Sequence, residues 1–225
     1  MARKIEVSKL LLDYELYPRD RIEPYNVNQM VEALSAGLEL PPVVIDRKSK
    51  RVVDGFHRVR AYQKLYGLDA KIPAEARDYK DDAEMFSDAV RLNVSHGRQL
   101  SAYDRARCIA KAESLKLELE VISSMLNMTP QRIAEMKSQR FATYKMAPLV
   151  LKRTTAHLAG KELTDDEVGY NVRAGGMHQT FYINQVIAML EADTVNWENP
   201  KVANGFKKLY DLLDKAMMVG PGLAR

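Results

Sequence analysis

The hydrophobic pattern changes character along the chain. In the first third, short apolar runs alternate with helical repeats. Met30, Val31 and Leu34 recur at helical spacing and predict a helix over 28–36, closed by Gly37. Leu40 to Asp46 is an apolar run that begins with prolines, and Val52-Val53 is β-branched, so two short strands are expected. The charged stretch Asp46–Arg51 falls between them as a hairpin tip, its charge assigned to solvation. Val59, Ala61, Tyr62, Leu65 and Tyr66 then predict a helix that Gly67 stops. Beyond residue 80 the spacing is helical. Met85, Phe86, Ala89, Val90 and Leu92 mark a helix over 81–95, and Ala106, Cys108, Ile109 and Ala110 another over 102–114. Residues 148–225 are expected to be helical, with Leu149, Leu151 and Leu158 in one segment. Thr164 and Glu167 form a capping pair, Gly175-Gly176 makes a break, and amphipathic helices cover 181–190 and 206–218.

The stretch Arg51–Tyr62, RVVDGFHRVRAY, places a strand, an Asp54-Gly55 turn and a helix in succession. A helix start offers unpaired backbone N–H groups, and its dipole favours an anion, most often a phosphate. Gly55 lets the backbone approach such an anion, and His57 and Arg58 add side-chain donors, Arg58 in bidentate fashion. The local sequence alone leaves a plain surface turn equally open.

DGFHRVRA resembles the glycine–arginine phosphate box of the ParB/sulfiredoxin superfamily, and the surroundings extend the resemblance over roughly residues 5–140. Upstream, a Pro-Arg segment (Pro18-Arg19), a helix, a glycine turn and a proline-led strand follow the order of ParB N-terminal domains. The superfamily implies a short strand at Lys71–Arg77 and a second nucleotide box near Asn93. Asn93 and Leu100 answer to that box. Leu92 stands in place of its metal-holding Glu, and Ser95-His96 in place of its Gln-Arg, which puts Mg²⁺-dependent CTP hydrolysis in doubt. Asn93, His96, Gly97, Leu100, Ser101, Asp104 and Arg105 resemble a branch with StrR-type activators and phage or mobile-element ParB-like proteins, in which His96 and Arg98 take over phosphate contacts. Ser101 as a helix cap beside a simple loop is the alternative reading. Phe56 occupies the place of the catalytic Cys of sulfiredoxins, excluding that reductase chemistry.

Leu119, Ile122, Met125 and Leu126 form one apolar face. Asn127 suits a left-handed turn, Thr129 caps a second helix, Pro130 occupies its first turn, and Ile133 and Met136 face inward. This is a helix-turn-helix pattern, and it lies where ParB carries its DNA-reading helices. Thr129, Gln131, Arg132, Lys137 and Arg140 are the candidate DNA contacts: Gln suits adenine and Arg guanine in the major groove. Between Asn127 and Arg153 six Lys/Arg face one acid, Glu135, a stronger bias than the net charge of +4 over 225 residues.

Composition narrows the picture further. No apolar run approaches the ~20 residues that span a bilayer, and the N-terminus lacks a secretory pattern, so no membrane partner is expected. The single cysteine, Cys108, permits no internal disulfide and suits a reducing cytoplasm, where the resemblance implies a nucleoid-associated protein. His157 and His178 have no partners at metal spacing, so no metal site is expected from sequence. The expected fold class is α+β: a ParB-like phosphate- or nucleotide-binding domain over 1–98, an all-α helix-turn-helix domain over 99–146, and a C-terminal helical region over 147–225 suited to homodimerisation. The resemblance implies double-stranded DNA as partner and CTP or ATP, with Mg²⁺, as ligand. The competing reading is a nucleotide-dependent enzyme (NTP hydrolase, small-molecule kinase or nuclease) with Asp54 as catalytic candidate.

Overall fold

The computed structural model describes residues 3–95 and 99–219. By packing, the chain divides into two units, Met1–Gly176 and Met177–Arg225. The first unit begins with β1 (Arg3–Glu6) and a 3-10 turn, followed by α1 (Pro24–Ser35), β2 (Val43–Asp46), β3 (Val52–Asp54), α2 (Phe56–Tyr66), β4 (Lys71–Arg77) and α3 (Asp82–Ser95). The four strands form one sheet in the order β1-β4-β2-β3, with β2 parallel to β4 and the other pairs antiparallel. Every residue of β2 is buried, because both faces of the sheet are covered. Val43, Ile45 and Val52 meet Phe56 and Val59 of α2, while Val44 and Val53 on the other face meet α3. That explains why this strand reads as a continuous apolar run and not as an alternation.

The hairpin tip is more than solvated charge. Asp46 is buried and accepts from the Ser49 amide and hydroxyl at 2.6 and 2.5 Å. Arg51 forms ion pairs with Asp13 and Asp82. The expected helix at 28–36 starts earlier, because Pro24 occupies the first turn.

The helices α4 (Ala102–Ser114), α5 (Leu119–Leu126) and α6 (Pro130–Arg140) follow. Ser101 and Asp104 form a reciprocal capping box on α4. Asn127 closes α5 in the left-handed conformation, φ 50°, and Thr129 caps α6 by accepting from the Arg132 amide. A single apolar core joins these helices to the sheet: Val53, Phe86 and Val90, then Ile109, then Ile122 and Leu126, then Ile133.

The region expected to be wholly helical holds a β-hairpin, β5 (Phe141–Tyr144) and β6 (Ala147–Val150). Lys145 and Met146 both take positive φ, 49° and 64°, the tight turn that matches strand twist. The strands are four residues long and one carries Pro148, too short for a period of two to stand out from the helical spacing around them. A small core of Ala142, Leu151, Leu158 and Leu163 lies beneath it. Then comes α7 (Asp165–Arg173), capped by Thr164 and Glu167 as expected.

The second unit comprises α8 (Gln179–Glu191) and α9 (Pro200–Val219). No residue of α8 is buried, and Phe181, Ile183, Ile187, Leu190, Leu212 and Leu213 are exposed. These apolar positions of the two amphipathic helices are open to solvent. His178 caps α8 through its ring, and His157 is exposed. Among the described residues no helix is long and apolar enough to cross a membrane.

Candidate functional site

The turn between β3 and α2 is built around Gly55, which sits at φ 102° as the N-cap of α2. A Cβ there would lie 2.7 Å from Val43 Cγ1 and 3.0 Å from the Arg58 guanidinium, so both the conformation and the packing demand glycine. No side chain caps the first turn of α2. Its N-terminal end opens on a cleft of about 830 Å³, within the size range of small-ligand sites. Asp54, Gly55, His57 and Arg58 of the first box and Asn93 of the second line this one cleft. His96 and Arg98 lie outside the described residues.

The side chains are already engaged with one another. Arg58 donates to the carbonyls of Pro41 (2.9 Å) and Pro42 (2.5 Å) and pairs with Asp54. It therefore braces the proline strand against the turn, and Asp54, the catalytic candidate, serves as its counter-ion. His57 Nε2 accepts from the Glu23 amide at 3.1 Å, which assigns the ring proton to Nδ1, facing the Tyr17 hydroxyl at 3.4 Å. Asn93 accepts from Arg19 Nε at 3.2 Å and donates to the Ala89 carbonyl at 2.9 Å.

One loop, residues 17–23, fastens these parts together. Tyr17 stacks on Phe56 at 4.5 Å between ring centres, and burial pushes its hydroxyl pKa well up. The Pro18 carbonyl accepts from Cys108 Sγ at 3.4 Å. Cys108 is buried, and burial raises its thiol to about 12, as suits a structural thiol and not a nucleophile. The Asp20 amide donates to Asp104 at 2.7 Å. The loop thus touches the first box, the second box and the head of α4. Sequence reasoning marked Pro18-Arg19 as part of the resemblance but missed Arg19, Tyr17, Gln29, Met30 and the Pro41-Pro42 wall as cleft residues. Their signal was positional only, since nothing in the local pattern says that residue 19 reaches residue 93.

The donor set suits a phosphate at the head of α2 and an apolar group against Met30, Leu40 and the prolines. It does not make a magnesium site from protein ligands: Leu92 supplies no oxygen, Asn93 Oδ1 is engaged by Arg19, and among the described residues no group of three or more acids, His or Cys converges.

On α6, Gln131 and Gln139 are exposed, and Thr129 is occupied as the cap. Arg132 pairs with Glu135 at 2.8 Å, and Lys137 with Glu113 at 2.6 Å while lying 5.9 Å from the Phe141 ring centre. Arg140 is half-buried and lines a second cleft.

No protein-family model matches the chain. The chain is 36% identical over 94 residues to the Streptomyces griseus "Streptomycin biosynthesis operon possible regulatory protein", a match covering 40% of this chain and 25% of that protein. The chain therefore spans about a quarter of the length of that relative. Among solved structures it is similar to the C-terminally truncated chromosome-partitioning protein ParB from Caulobacter crescentus complexed to the centromeric parS site. There the TM-score is 0.44 at 18% identity, with 76% of this chain and 78% of that chain covered. The same ParB complexed with CTP-γ-S gives 0.38 at 19%, over 77% and 85%. A Pnob8-like ParB-N domain gives 0.40 at 17%, over 67% and 56%.

Proposed function

We propose that this is a ParB-like, sequence-specific DNA-binding protein, a transcription regulator or partition-type factor, with a cleft in its sheet-bearing part that takes a nucleotide or other phosphate ligand. The observation that carries the ligand half is the meeting of the two boxes: Gly55, His57 and Arg58 share one cleft with Asn93 although they are far apart in sequence. The phosphate sits at the head of α2, where backbone amides and the helix dipole favour it. CTP and ATP are the ligands to test, with any Mg²⁺ held chiefly by their phosphates. His96 and Arg98 are proposed to add contacts. Residues 1–98 carry this role, and 99–146 contact double-stranded DNA through α6. Support for DNA contact comes from the exposed Gln131 and Gln139 and from the local cation surplus. Arg132 and Lys137 exchange their present carboxylate partners for phosphates, which places the protein with the nucleoid. The open apolar faces of α8 and α9 are proposed to pair two copies of the chain.

Electrophoretic shift and salt titration on duplex DNA test the first half. Affinity should fall steeply with salt, because Lys and Arg contacts release counter-ions. No binding to any duplex at low salt would sink it. Melting curves with CTP, ATP, ADP and GTP, run alongside an assay for released phosphate, test the second half and separate binding from turnover.

A further inference from the structure

A second cleft, of about 420 Å³, has its own lining and shares only Arg19 with the box cleft. It is bounded by the 19–23 loop, the head of α4, the end of α6, residues 152–153 and the Ala174–Gly176 turn. Five cationic side chains line it against three carboxylates. The three acids are committed. Asp104 accepts from the Asp20 amide and from Ser101, Glu23 pairs with Arg21 at 3.0 Å, and Asp20 lies 3.9 Å from Arg107. Lys152 is committed too, donating to the carbonyls of Val172 (2.7 Å) and Ala174 (2.8 Å) at the end of α7. Its backbone is held by the buried Asn171, so residue 153 is firmly placed.

What remains is Arg140 and Arg153. Neither guanidinium has a hydrogen bond or ion pair among the described residues. Burial, and after it the charge of Arg153, lowers the Arg140 pKa below the usual guanidinium range. Two planar forks in one concavity, without an acid between them, match the oxygens of a phosphate, which two guanidinium groups bind in bidentate fashion. We infer that this cleft is a second anion site, in which Arg140 and Arg153 clamp a phosphate group. Arg140 thus belongs to a phosphate clamp and does not read a base edge. The phosphate comes either from a small phosphorylated molecule or from the backbone of the duplex beside α6. The duplex source rests on the DNA reading above and the small-molecule source does not, so the two fail separately.

The test uses the full chain with inorganic pyrophosphate at matched ionic strength. Pyrophosphate should raise the melting temperature by about 3–5 °C. Arg140→Gln and Arg153→Gln should each abolish that rise, while Asn93→Ala keeps it. Arg153 is exposed and unbonded, so its variant should fold even if the Arg140 variant does not. If pyrophosphate has no effect but the double variant lowers the salt slope of DNA binding by about two units, the same clamp takes its phosphates from the duplex. The inference is overturned if the pyrophosphate effect survives Arg153→Gln, if Asn93→Ala removes it, or if neither melting nor salt slope responds.

Discussion

The two clefts use their cations in opposite ways. In the box cleft the principal side chains already have internal partners: Arg58 pairs with Asp54, Arg19 donates to Asn93, and His57 accepts from the Glu23 amide. In the second cleft Arg140 and Arg153 have none among the described residues. The box cleft is therefore a rigid frame whose side chains hold its own walls, and a ligand there relies first on the backbone at Gly55. The second cleft holds charge in reserve for something that arrives. An arginine in a family box is thus no surer a ligand contact than one outside any box, because its bonds within the protein decide.

Substitutions can break or sharpen this contrast. The largest effect is expected from Gly55→Ala, which combines a positive φ with overlap on Val43 and should cost about 3–5 kcal/mol in urea unfolding. Next, Asp54→Ala strips Arg58 of its counter-ion. With the pair largely shielded from water (14% and 25% exposed), the loss should be about 1–3 kcal/mol. Adding sulfate should recover part of that loss, because the variant makes the box cleft resemble the other one. A variant as stable as the wild type would show that the pair does not hold the frame.

The acid response of the sheet comes third. Burial opposes ionisation of Asp46, but the Ser49 hydroxyl and amide, the Lys48 amide and Arg51 outweigh it and hold its carboxyl below 3.8. The folded value is the lower one, so the stabilisation is complete above pH 3.8 and fades as pH falls through the folded value. Asp46→Asn should cost about 1–2 kcal/mol at pH 7, and the gap should close in acid. A gap that persists undiminished in strong acid would show that shape, and not charge, holds the tip. The smallest effect belongs to the second cleft. Arg140 binds its proton less tightly in the folded state, so its charge opposes folding across the neutral range. Arg140→Met should stabilise by at most about 0.5 kcal/mol, since solvent screens most of the repulsion.

Much of the fold was legible. The strand 71–77 sits where the resemblance implied it, and the helix 102–114, the left-handed Asn127 and the caps at Ser101, Thr129 and Thr164 sit where spacing and capping chemistry placed them. Local rules decide such features, and local rules are what a sequence displays. The hairpin at 141–150 was not legible, because its turn residues, Lys145 and Met146, are not ones that advertise a positive φ. Of the box cleft, the turn was readable and the partners were not. Arg58 looks free in sequence, and only the fold brings Asp54 and two proline carbonyls around it. Loop 17–23 acts through contacts 34 to 90 positions away, beyond any periodicity.

The core that runs from Val53 through α3 to α5 and α6 has a practical corollary. A fragment cut after residue 98 would leave Phe86 and Val90 facing water where Ile109, Ile122 and Leu126 now cover them, and should clump or bind detergent dyes. Anyone trimming this molecule to study the box cleft alone would do better to carry the chain on past residue 140.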